Sequence, residues 1–199
     1  MKKQEQKYIS FRNAVMIIGL ALLSYIFQMV ATLPFVANPM MLAFFSTPIG
    51  MVLGGVFYVL AMNKAPYRGT LFLYTFVPCI MLLFMGTPYV VLVFAVGAVL
   101  AELVFWKDSV RTPGKLTIAY VIYATFWGVG TYLPAFLQKD SLLQTAVESG
   151  GSEELIAAYD KLYTLPYVSI SIVLAIAGAL LGVFIGAKLF KKHFSQIGV

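Results

Sequence analysis

Chemistry at a protein site needs nucleophiles, acids, bases or metal ligands, and this sequence offers few of them. Its one histidine, His193, stands beside Lys191 and Lys192 in a basic tail, where a solvated side chain is expected rather than a metal ligand. Its one cysteine, Cys79, lies in an apolar run with no second cysteine to pair with, which excludes a disulfide framework and a cysteine metal site. Gly114-Lys115 lacks the upstream glycine of a phosphate-binding loop. Glu102 is the one charged side chain inside an apolar run. With Trp106 one turn away, it can reach the interfacial headgroups or the basic side chains of the adjoining loops. It therefore reads as a structural or partner-contact group before it reads as a proton or ion site. Paired carboxylates, a histidine cluster, or a nucleophile with its base cannot be assembled from this set. The expectation is a protein that is not an enzyme, holds no metal or cofactor, and takes any energy from ATP through another protein.

What remains is uncharged polarity, aromatic rings and small residues. Asn38, Tyr89, Thr125, Trp127, Tyr132, Tyr167, Ser169 and Ser171 fall at one depth of the chain's apolar segments. An interfacial aromatic belt accounts for Tyr89, Tyr132 and Tyr167, while Thr125 and Trp127 lie deeper. A cavity lined by rings and a few hydroxyls suits a flat, largely uncharged small molecule. Gly178, Gly182 and Gly186 recur every fourth residue, and Gly50 and Gly54 share that spacing. Such ridges let helix backbones approach closely, here chiefly inside a bundle. Ala14, Gly19 and Ala21 give the first apolar segment a smoother surface than its Leu and Ile neighbours.

The elements that must position these residues are membrane helices. Of 199 residues, 61% are hydrophobic and 11% charged, with a mean hydropathy of +0.89, which excludes a soluble fold. A spanning helix needs about 20 residues. The charge-free runs, broken at Pro34, Asn38-Pro39 and Gly86-Thr87-Pro88, predict six spans near 13–31, 41–62, 69–85, 89–106, 116–133 and 165–187. The fold class expected is an all-α integral membrane protein, a single six-helix domain over 1–199. One side of the membrane receives Lys2, Lys3, Lys7, Arg12, Lys64, Arg68, Lys107, Arg111, Lys115, Lys188, Lys191 and Lys192. The other receives only Lys139 and Lys161 beside five acids. Lysine and arginine accumulate in the cytoplasm, so both termini are expected there. The formal charge of +6 is therefore topological and implies no nucleic acid partner.

The outer segment 139–163 predicts an amphipathic helix. Ser152 is its N-cap, Glu153 and Glu154 occupy the first turn, and Leu155, Tyr159, Leu162 and Tyr163 share one face. Two readings stand: a helix resting on the bundle, or a lid over an outward pocket.

Taken together the chain resembles the substrate-binding S components of energy-coupling-factor (ECF) transporters, specifically the Trep_Strep or MptD-like group. The segments that carry the resemblance are Gly97 to Leu103, Gly130 to Ala135, and Leu189 to Phe194 with Gly198. The resemblance implies a six-helix protein of the bacterial cell membrane. It would capture a vitamin-like micronutrient outside and dock onto a transmembrane T protein bound to two cytoplasmic ATPase subunits. In that family an Ala-x-x-x-Ala motif on helix 1 forms the T-protein contact. Here Ala14 is followed by Ile18, leaving Ala14, Gly19 and Ala21 as the nearest small surface. The family's pocket, formed by the outer parts of helices 4 to 6 with the first outer loop, coincides with the aromatic and hydroxyl cluster. Two rivals compete with this function: a half-size secondary transporter acting as a homodimer, and a structural membrane subunit that binds no ligand.

Overall fold

The structure, a computed structural model, describes residues 9–83, 88–106, 112–148 and 150–193. Eight α-helices lie among them: α1 (Phe11–Thr32), α2 (Pro39–Lys64), α3 (Thr70–Leu83), α4 (Pro88–Leu103), α5 (Pro113–Leu137), α6 (Lys139–Glu148), α7 (Glu153–Leu162) and α8 (Leu165–His193). Short polar side chains start four of them by accepting an orphan backbone N–H. Ser10 accepts from Asn13, Asn38 from Met41, Thr112 from Lys115 and Ser152 from Leu155. Proline occupies the first turn of α2 and α5, where its missing N–H costs nothing.

Four segments are long and apolar enough to cross a bilayer: Phe11–Phe35, Met40–Lys64, Pro113–Pro134 and Leu165–Lys192. Among the described residues the expected third and fourth spans are shorter: α3 has 14 residues and α4 has 16, which at 1.5 Å per residue give about 21 and 24 Å against a hydrocarbon core of about 30 Å. The Gly86-Thr87 part of the turn expected between them lies outside the described residues, as do Lys2, Lys3, Lys7, Lys107, Arg111 and the tail beyond His193. The outer segment, expected as one amphipathic helix, is two. α6 and α7 meet through Gly150, whose φ of +75° suits glycine, and a Lys139–Asp160 ion pair of 2.6 Å ties them together.

The α2–α8 pair is the tightest in the bundle. A methyl group on Gly178 would collide with the Pro48 carbonyl oxygen, and one on Gly182 would lie 2.6 Å from the Met51 and Val52 carbonyl oxygens. One on Gly55 would lie 2.7 Å from the Gly182 backbone. The glycine ridge of α8 is therefore internal packing. Its counterpart on α2 is Gly55, whereas Gly50 and Gly54 make room for Gln28 and Tyr120. The main core joins α1, α2, α3, α5 and α8 around Ile17, Tyr58, Met62 and Tyr120. A second, smaller core of Cys79, Val90, Val91 and Phe94 joins α3 and α4 and meets α5 at Trp127.

Glu102 completes the α3–α4 hairpin at the end of the bundle where α1 begins and α8 ends. Its carboxylate oxygens accept from the backbone N–H of Gly69 at 2.8 Å and of Phe72 at 3.1 Å, so it caps the positive end of α3. Beside it Arg68 donates to the Trp106 carbonyl at 3.0 Å and lies over the Trp106 ring. The carboxylate thus binds backbone N–H groups at the start of α3.

Candidate functional site

At the end of the bundle where α1 and α5 finish and α2 and α4 begin lies a cavity of about 360 Å³. Each wall is one helix face. α1 contributes Tyr25, Gln28, Met29 and Thr32, and α5 contributes Trp127, Gly130, Thr131 and Pro134, both with the i, i+3, i+4, i+7 spacing of a single stripe. α2 adds Ser46, Thr47 and Gly50, and α4 adds Val90 and Phe94.

The two sides differ in chemistry. On the α4–α5 side Phe94 and Trp127 stack with centroids 4.4 Å apart and planes within 8°. Gly130 makes this possible, because a Cβ there would run into the Phe94 ring. Phe94 is buried, which holds the pair rigid. The aromatic column continues downward through Tyr123 and Tyr120 to Tyr58. Those phenols are committed to backbone carbonyls: Tyr120 donates to Met51 at 3.2 Å, Tyr58 to Leu116 at 3.1 Å, and Tyr74 to Gly54 at 2.8 Å. Between them a recess of about 10 Å³ is no larger than one water.

On the α1–α2 side the groups are polar and uncharged. Gln28 donates from its amide nitrogen to the Ser24 hydroxyl at 3.0 Å, and its oxygen sits against Gly50. Among the described residues no acid, lysine, arginine or histidine lines the cavity. Among the described residues no three His, Cys, Asp or Glu side chains gather to hold a metal.

Of the residues expected to form a substrate site, Trp127 lines this cavity. Asn38 is exposed and caps α2. Thr125 donates to the Val121 carbonyl of its own helix at 2.9 Å, outside the lining. Tyr132 is buried behind it as a clamp, donating to the Ala43 carbonyl (3.1 Å) and pairing with the Ser171 hydroxyl (2.9 Å), and so joins α5 to α2 and α8. Tyr167 packs on Phe44 under the Lys161 ammonium, and Ser169 is exposed with its hydroxyl bonded to the Leu165 carbonyl. Tyr89 opens α4 beside Val90, and its side chain lies outside the described residues. A shared depth did not mean a shared face. The missed residues are the whole α1 and α2 lining, Val90 and Phe94 on α4, and Gly130, Thr131 and Pro134 on α5; for the α1 wall the available signal was Gln28, the one amide in the apolar run between Asn13 and Asn38.

The three residues of the expected partner surface do not share one face either. Ala21 is fully buried, on the inward stripe Ile17, Ala21, Ser24, and Ala14 is half-buried. Small side chains there let α1 approach the core. Gly19 is exposed with open space around it, on the outward stripe Phe11, Val15, Gly19, Leu23, Phe27. α6 and α7 supply none of the cavity lining and rest on α2, α5 and α8.

A family model for a bacterial integral membrane protein, described as hypothetical and termed Trep_Strep, matches residues 11–196. The chain belongs to the Trep_Strep family. No curated protein and no solved structure matches it. A Trep_Strep protein is thus a bacterial, multi-pass integral membrane protein, and here its apolar helices enclose an uncharged cavity near one end.

Proposed function

We propose that this Trep_Strep protein is the substrate-capture (S) subunit of an ECF-type importer for a vitamin-like micronutrient. It works with a T protein and two ATPase subunits and catalyses no reaction itself. The observation that carries this reading is the cavity: about 360 Å³, with a stacked aromatic pair on one wall and no charged side chain among its described lining residues, at the end of the bundle opposite Lys64, Arg68 and Lys115. In this reading α3 and α4 complete six spans as a short hairpin, the termini are cytoplasmic and the cavity faces outward. The positive-inside asymmetry supports that orientation. A site of this size and character binds small molecules, and the chain carries no nucleotide motif to power their transport. Native mass spectrometry of the purified protein tests the capture role. A stoichiometric small molecule, lost on mutation of Trp127, is the expected result; a protein that never carries one is a scaffold.

A further inference from the structure

The two walls of the cavity specify a kind of ligand. Thr47 is 7% exposed, lines the cavity, and its hydroxyl has no hydrogen-bond partner among the described residues. Buried hydroxyls are normally paired, and the helix threonines Thr75, Thr117, Thr125 and Thr131 all donate to the carbonyl four residues back. For Thr47 that carbonyl is Ala43, which takes the Tyr132 hydroxyl instead. Its neighbour Ser46 and, across the gap, Tyr25 also lack partners among the described residues, as do the Gln28 amide oxygen and one of its N–H hydrogens. Donors and acceptors thus face the cavity from α1 and α2, opposite the flat Phe94–Trp127 stack.

Resting on the capture reading, we propose that the cavity takes an uncharged, planar, fused-ring heterocycle whose lactam or ureide edge is read by Gln28, Ser46 and Thr47 while its face lies on Trp127, which the buried Phe94 ring backs. The volume, at about 30 Å³ per water-sized group, holds roughly a dozen such groups, enough for a bicyclic ring. A carboxylate or ammonium on the ring would enter without a countercharge. A plain hydrocarbon would leave the polar groups unpaired.

The Trp106→Phe protein in nanodiscs retains Trp127 as its single tryptophan, so its emission reports on the stack. Lumazine in its uncharged form, a bicyclic ring with two lactam groups, is expected to quench that emission saturably. Thr47→Val and Gln28→Leu should each weaken it about tenfold or more, with Thr47→Ser close to the parent. Naphthalene, a bicyclic ring without the polar edge, and pterin-6-carboxylate, a bicyclic ring with an added charge, should bind at least tenfold more weakly. Absence of saturable quenching by lumazine, equal binding of either comparator, or full affinity in both Thr47→Val and Gln28→Leu overturns the assignment. Mass spectrometry of the molecule carried by the wild-type protein separates this inference from the reading beneath it. A bound charged molecule refutes the ligand class and leaves the capture role standing, while no bound molecule refutes the capture role.

Discussion

Trp127 is the residue on which the proposed binding turns. It is half-buried, lines the cavity and packs against Phe94 and Tyr123, so in the proposed site a planar ligand gains stacking without first ordering the protein. Trp127→Ala removes a stack worth about 1–3 kcal/mol. The co-purified ligand should therefore fall in affinity by roughly 5- to 150-fold, read as lost occupancy in native mass spectra. Glu102 makes the opposite case, a charged residue in an apolar helix with a structural task. Glu102→Ala leaves the Gly69 and Phe72 N–H groups without their acceptor and should cost about 1–2 kcal/mol. Glu102→Gln keeps one acceptor oxygen and should fall between. Thermal unfolding in detergent is expected to rank wild type, Gln, Ala; equal melting of all three would show that the cap contributes nothing.

Between helices the decisive quantity is how closely backbones meet. Gly182 of α8 lies where a methyl group would reach the α2 carbonyls, so Gly182→Leu should separate the pair and yield aggregated protein on size exclusion. α1 carries a sharper contrast. Ala21→Leu overfills a buried contact and should lower stability by about 1–3 kcal/mol. Gly19→Leu meets nothing inside the bundle and should leave stability unchanged. If the outward face of α1 receives the T protein, Gly19→Leu blocks co-purification of the coupling subunits while ligand capture persists, because the cavity sits at the other end. Retained co-purification would move the docking surface to another helix.

At the scale of the whole molecule the proposal fixes an orientation. In a Cys79→Ser background, Glu154→Cys on α7 should react with a membrane-impermeant maleimide on intact cells, and Lys192→Cys at the end of α8 should react only after the cells are opened. Both positions are exposed. The reverse pattern would place the cavity on the cytoplasmic side and exclude capture from outside.

The sequence by itself determined what depends on neighbours along the chain. Apolar run length marks the helices, Asn38, Thr112 and Ser152 start them, and the loop charges set one end of the molecule apart from the other. These signals are local, and the structure moves the helix ends by only a few residues, apart from the division of 139–163 into α6 and α7. Only the tertiary structure decided which way each helix turns about its axis. Trp127 and Tyr132 are five residues apart on α5, hence about 140° apart in azimuth, and one lines the cavity while the other clamps α2 and α8. Ala21 faces inward and Gly19 outward by the same rule. In a soluble helix the polar stripe would reveal that angle. A helix bathed in lipid is apolar on every side, so its rotation is fixed by close packing between helices distant in sequence, which no local pattern encodes.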